Sequence, residues 1–188
     1  MKIGEIVITQ FQLNKLRSGE GDDRDYDPSN LAEGDLLLTP AGVLGAWHDG
    51  WAVDRHHRDH PQNEYPNPDR TLSIGFTSHY DAMTHRFGDI EVGAGGENLI
   101  VRVDRRMMID DLTGKLTIRS QSGESLELGP AAVAAPCVPF TKFCLSDPDA
   151  PVDAVKENRA FLEDGMRGFV MSIEGTMLVK VGDELHLD

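Results

Sequence analysis

Three stretches of this sequence carry side chains with chemistry beyond folding. The first is Pro136-Cys137, which follows a run of small residues at 131–135. A thiol at the end of a strand can stand at the mouth of a pocket, where nearby cations favour the thiolate. The thiolate is both a nucleophile and a ligand for soft metals. Lys142 and Arg167 are candidate cations for that role. The opposing reading is a buried, inert thiol, because free cysteine is among the most buried residue types. Cys144, the other cysteine, is spaced from Cys137 neither as a CxxC redox pair nor as a zinc knuckle. It reads as a core thiol, or as the resolver of a persulfide on Cys137 if residues 138–143 fold back.

The second stretch is Asp54-Arg55-His56-His57-Arg58-Asp59-His60. His56 or His57 together with His60 could ligate a divalent metal, with an aspartate as oxygen ligand. Arg55, Arg58 and Arg70 could instead build an anion pocket, or the segment could be a polar loop held by its own hydrogen bonds. The third stretch is Gly93-Ala94-Gly95-Gly96-Glu97-Asn98. Glycines let a backbone come close to a ligand and present N–H groups to phosphate. No Lys-Ser/Thr follows, as a P-loop requires, and the next element reads as a strand where a dinucleotide fingerprint needs a helix. The alternative is a tight turn fixed by Glu97 and Asn98.

These residues sit in an acidic chain of 188 residues with a formal net charge of -14. That charge argues against nucleic acid, whose binding is driven by lysine and arginine neutralising phosphates, and against anionic membrane surfaces. It leaves room for an anionic ligand, since a few local arginines can form a positive pocket. Hydrophobic residues make up 39% and charged residues 27%, which is ordinary for a globular protein and unlike a disordered one. No apolar stretch reaches the roughly 20 residues a membrane helix needs. The opening MKIGEIVITQFQ lacks an apolar signal region, so the expected location is cytoplasmic. The length fits one domain over 1–188.

Positioning falls mainly to strands. Residues 2–10 alternate as a first strand, and 35–38 with 42–47 read as a hairpin-like pair around Pro40. The acidic segment 17–33 has no apolar period over most of its length and reads as a mobile loop. Residues 54–70 contain three prolines and form an irregular loop before a strand at 71–76. Ser78, with Asp81 three residues on, predicts a capped helix whose Tyr80, Met83 and Phe87 share one face. A strand runs from Leu99 to Val103, and a hairpin spans 115–119 and 125–128. A second helix covers 151–164, and three strands near 168–174, 177–180 and 183–187 finish the chain. Short strands with glycine-rich turns predict a mainly β fold with a few helices, arranged as a barrel.

Taken in order, DRHH (54–57), LSIGFTSHYDAM (72–83), GGENLIV (95–101), APC (135–137), GMRGFVMSI (165–173) and GTMLVKVGDEL (175–185) resemble the MOSC family. That family is named after the C-terminal domain of molybdenum-cofactor sulfurase. The resemblance covers about 40–188. It departs at Val53 and Gly95, where relatives usually carry glycine and often phenylalanine, respectively.

The resemblance implies a MOSC-type β-barrel and a molybdenum cofactor, a metal bound to a phosphorylated pterin. Cys137 would be the molybdenum ligand or sulfur carrier, and Arg55, His56, Glu97, Asn98 and Arg167 would line the pocket. Arg58 and Arg70 join them from the anion-pocket reading. Pyridoxal phosphate belongs to a desulfurase domain fused in some relatives and is not expected in this chain. The implied activity is reduction of N-hydroxylated or related N-oxygenated compounds, with an electron-transfer protein as partner. The alternative is a persulfide carrier served by a cysteine desulfurase. Outside the family, the remaining reading is a small metal-dependent hydrolase using His56, His57 and His60.

Overall fold

The computed structural model describes residues 1–19 and 24–188. In chain order the described strands and helices are β1 (Lys2–Gln12), β2 (Arg17–Ser18), β3 (Asp25–Tyr26), β4 (Leu31–Glu33), β5 (Leu36–Thr39), β6 (Gly42–Trp47) and β7 (Gly50–Val53). Then follow β8 (Leu72–Phe76), α1 (Thr77–Phe87), β9 (Leu99–Arg102), β10 (Leu116–Arg119), β11 (Ser125–Leu128) and β12 (Ala132–Val133). The chain ends with α2 (Val138–Cys144), α3 (Val152–Leu162), β13 (Phe169–Met171), β14 (Met177–Val179) and β15 (Glu184–Leu187).

The main sheet runs β11-β10-β15-β1-β9-β8-β13-β12, with β4 added to β1. Its neighbours are antiparallel except β8 and β9. A parallel pair needs a crossover, and α1 supplies it. Alternation along β9 divides the interior in two. Leu99 and Val101 face the larger cluster, with Ile6, Phe76 and Phe169. Ile100 faces the opposite way, towards Tyr80 and Met83 of α1, Phe140 of α2 and Leu162 of α3. All three β9 residues are fully buried, as a strand covered on both faces must be. The larger cluster is closed by a second sheet, β14-β5-β6-β7. Gly45 of β6 lies so close to Phe11 that a Cβ there would stand 1.9 Å from the ring.

Mainly β architecture with helices is therefore observed, while the barrel expectation is corrected. Among the described residues the main sheet is open, ending at β11 and β12. Only an isolated bridge, Leu128 with Ile173, ties β11 to the chain beyond β13. The helix expected from Ser78 starts at Thr77 and has no side-chain cap; the Ser78 hydroxyl instead donates to Arg105 O. Within 17–33, β2 pairs with β3, and Tyr26 is buried. The rest of the acidic expectation, residues 20–23, lies outside the described residues. No helix among the described residues is long and apolar enough to cross a membrane.

Candidate functional site

A pocket of about 260 Å³ opens where the Gly93–Asn98 turn, the end of β12 and the segment before β13 meet. Cys137 lies on its wall beside Arg167, and Arg17, His56 and Arg70 stand around it. An adjoining recess of about 60 Å³ shares Arg17, His56 and Arg167 and adds Arg55. Four arginines thus converge on one place in a chain of net charge -14. The Arg55 Nε atom is buried with no hydrogen-bond partner among the described residues, and burial lowers the guanidinium pKa. An unsatisfied buried donor in a cationic recess favours an anion there.

Cys137 is the residue before α2, in extended conformation, and is half-buried. Arg167 Nη1 donates to its sulfur at 3.4 Å. Arg167 also donates to Gly95 O at 3.4 Å and Ala135 O at 3.5 Å. Its guanidinium lies 4.8 Å from the Phe140 ring centre and 5.9 Å from that of Tyr26, both cation–π distances. The turn that delivers Arg167 depends on Gly168, with φ +85, where a Cβ would come 2.5 Å from Ile74 O. Cys144 ends the same helix, buried in the second cluster, and burial pushes its thiol up to about 12. About seven helical steps of 1.5 Å hold the two thiols roughly 10 Å apart along the axis, which forbids a direct disulfide. Cys144 therefore cannot resolve a persulfide on Cys137 without unwinding α2.

Beneath Arg167, Glu97 is buried at 3% exposure. Its Oε2 accepts from Tyr80 Oη at 2.6 Å, and Tyr80 Oη accepts from Gly95 N at 2.9 Å. Its Oε1 has no partner among the described residues. Burial raises the carboxyl pKa, against the opposing pull of the Tyr80 hydroxyl and Arg167.

Asn98 borders the pocket, but its side chain is spent on the scaffold. Oδ1 accepts from Ser73 N and Ser73 Oγ, while Nδ2 donates to Gln10 O and to Asp54 Oδ2. Asp54, fully buried, also accepts from Gln12 N at 2.7 Å and His56 N at 2.8 Å. Burial raises its pKa, but contacts from His56 and these N–H groups outweigh that and leave it lowered. Asn98 and Asp54 thus fasten the His56 loop to β1 and β8.

The histidines of that loop are brackets. His57 Nδ1 accepts from Asp59 N at 3.1 Å. His60 Nδ1 accepts from Gln62 N at 3.1 Å, and its Nε2 lies 3.2 Å from Leu13 O. Among the described residues no three His, Cys, Asp or Glu side chains gather to hold a metal. Arg58, expected at the anion pocket, lies outside it. It is exposed, its Nε lies 3.5 Å from Asp59, and it borders neither the pocket nor the recess.

The structure adds Arg17 at the pocket and Tyr26 in the recess, and places Tyr80 behind the wall on Glu97. Arg17 stood in a segment without apolar period, and Tyr80 read as an ordinary core position. Neither had a signal beyond its residue type.

A family model described as the MOSC domain matches residues 54–186. No curated protein matches the sequence. Among solved structures, the YuaD protein of Bacillus subtilis is 14% identical, with 98% of this chain and 92% of that one covered and a TM-score of 0.52. YiiM of Escherichia coli is 15% identical, with 98% and 69% covered and a TM-score of 0.52. At such identities the likeness is one of fold.

Proposed function

The chain belongs to the MOSC domain family, and on that premise we propose that it binds a molybdenum cofactor beside Cys137 and acts in reduction of N-hydroxylated or related N-oxygenated compounds. The observation that carries this reading is one soft sulfur and four arginines around a single pocket and its recess. That donor set fits the group: a thiolate suits a soft metal, and arginine suits phosphate. Cys137 would ligate the metal. Arg17, Arg55, Arg70 and Arg167 would hold the phosphate, with Arg55 Nε gaining the acceptor it lacks. When bound, the cofactor would supply a two-electron redox centre. Arg167 would keep the sulfur oriented, and the His56 loop would fix one wall. Protein carrying the cofactor should reduce a hydroxylamine with an artificial electron donor, and Cys137→Ser should abolish turnover. Full turnover in that variant would contradict the reading.

A second reading draws on the half-exposed sulfur of Cys137. As a persulfide carrier, Cys137 would gain one sulfur atom after incubation with a cysteine desulfurase and cysteine. Mass spectrometry of the tryptic peptide reads that directly, and an unmodified peptide would contradict it.

A further inference from the structure

A run of contacts links the buried carboxyl of Glu97 to the sulfur of Cys137. Glu97 Oε2 accepts from Tyr80 Oη at 2.6 Å, and Tyr80 Oη accepts from Gly95 N at 2.9 Å. The carbonyl of the same Gly95 accepts from Arg167 Nη2 at 3.4 Å, and Arg167 Nη1 reaches Cys137 Sγ at 3.4 Å. Gly95 is a necessary link: a Cβ there would stand 2.8 Å from Glu97 Oε1 and 2.9 Å from Tyr80 Oη. Tyr80 is itself fully buried on α1 and has no direct place on the pocket wall.

We propose that Tyr80, with its hydroxyl anchored by Glu97, is a positioning residue that sets the reactivity of Cys137 through Gly95 and Arg167. It rests on Cys137 being the working sulfur, but concerns the thiol itself and not any bound cofactor. Tyr80 fixes the Gly95 peptide, whose carbonyl holds one arm of the guanidinium so that the other stays on the sulfur. Glu97 acts by holding the hydroxyl, without touching the sulfur. An arginine free of that carbonyl would turn towards solvent or its aromatic neighbours, and the sulfur would lose a charge-assisted contact.

The test is the rate of Cys137 alkylation by iodoacetamide in cofactor-free protein, read by mass spectrometry. Cys144 is the internal control, since its burial leaves it unmodified while the fold is intact. Arg167→Ala should slow the reaction about tenfold, the order of one hydrogen bond to a charged group, and Tyr80→Phe should slow it several-fold. Combined, they should react no more slowly than Arg167→Ala alone, because one acts through the other. Effects that multiply, or no effect of Tyr80→Phe, would overturn the proposal. If Tyr80→Phe exposes Cys144, Gly95→Ala breaks the same link and is read by the same criteria. Absence of molybdenum from the purified protein would defeat the cofactor reading and leave these rates unchanged.

Discussion

Arg167 Nη1 lies 3.4 Å from Cys137 Sγ, and the same guanidinium borders both the pocket and its recess. In the proposed function, sulfur chemistry and anion binding would share one side chain, so an anion in the recess should be felt at the thiol.

Inorganic phosphate is the simplest probe of that link. It should protect Cys137 from alkylation, and protection should weaken as salt is raised, because exposed arginines are screened. Arg70→Ala should reduce protection several-fold, since an exposed charge at the rim contributes at most about 1 kcal/mol. Arg58→Ala should leave it unchanged, because Arg58 borders neither cavity. Rates with and without phosphate, measured for the three proteins, check both statements.

Asn98 tests the division between scaffold and site. Its amide bridges half-buried Ser73 and the buried Gln10 and Asp54. Asn98→Ala should lower stability by about 2 kcal/mol, because buried partners are left unsatisfied. Urea unfolding with an unchanged slope would register the loss as an earlier midpoint. If Asn98 instead worked mainly by touching a ligand, stability would stay at the parent value.

His79 gives the fold a pH dependence with a defined sign. It is buried on α1, with Nε2 accepting from Met107 N at 3.1 Å, and burial lowers its pKa to about 4 from an ordinary 6.5. The folded state thus resists a proton that the unfolded chain accepts. Its stabilising contribution is full above pH 6.5 and is lost as pH falls towards 4. The difference between those values corresponds to roughly 3 kcal/mol. In His79→Gln that part of the slope should vanish, as urea midpoints across the window would show. An unchanged slope would place the acid sensitivity elsewhere.

Much of the fold was legible because alternation and turns report it directly. The β5–β6 and β10–β11 hairpins and α3 fall where apolar spacing and turn residues put them. α2 was missed because seven residues, about two turns, are too short a stretch for the helical spacing of Phe140, Phe143 and Cys144 to stand out. β2 and β3 were missed because each is two residues long, in a segment without apolar alternation. At the site, Cys137, Glu97, Asn98, His56, Arg70 and Arg167 do converge. Motif order could group them, but it could not show that the Asn98 amide is consumed by the scaffold or that Arg58 points away. Those facts depend on which side of a loop a side chain leaves, and residue type does not encode that. The part of Tyr80 was illegible for a similar reason, since its hydroxyl meets Gly95 only after α1 packs against β9.

We propose that Cys137 and the surrounding arginines hold a molybdenum cofactor, and the molybdenum content of protein purified from a host that makes the cofactor, measured by elemental mass spectrometry beside Cys137→Ser, tests this first. Near-stoichiometric molybdenum in the parent and its loss in the variant is the predicted result. Parent protein free of molybdenum, or a variant that retains it in full, would contradict the account.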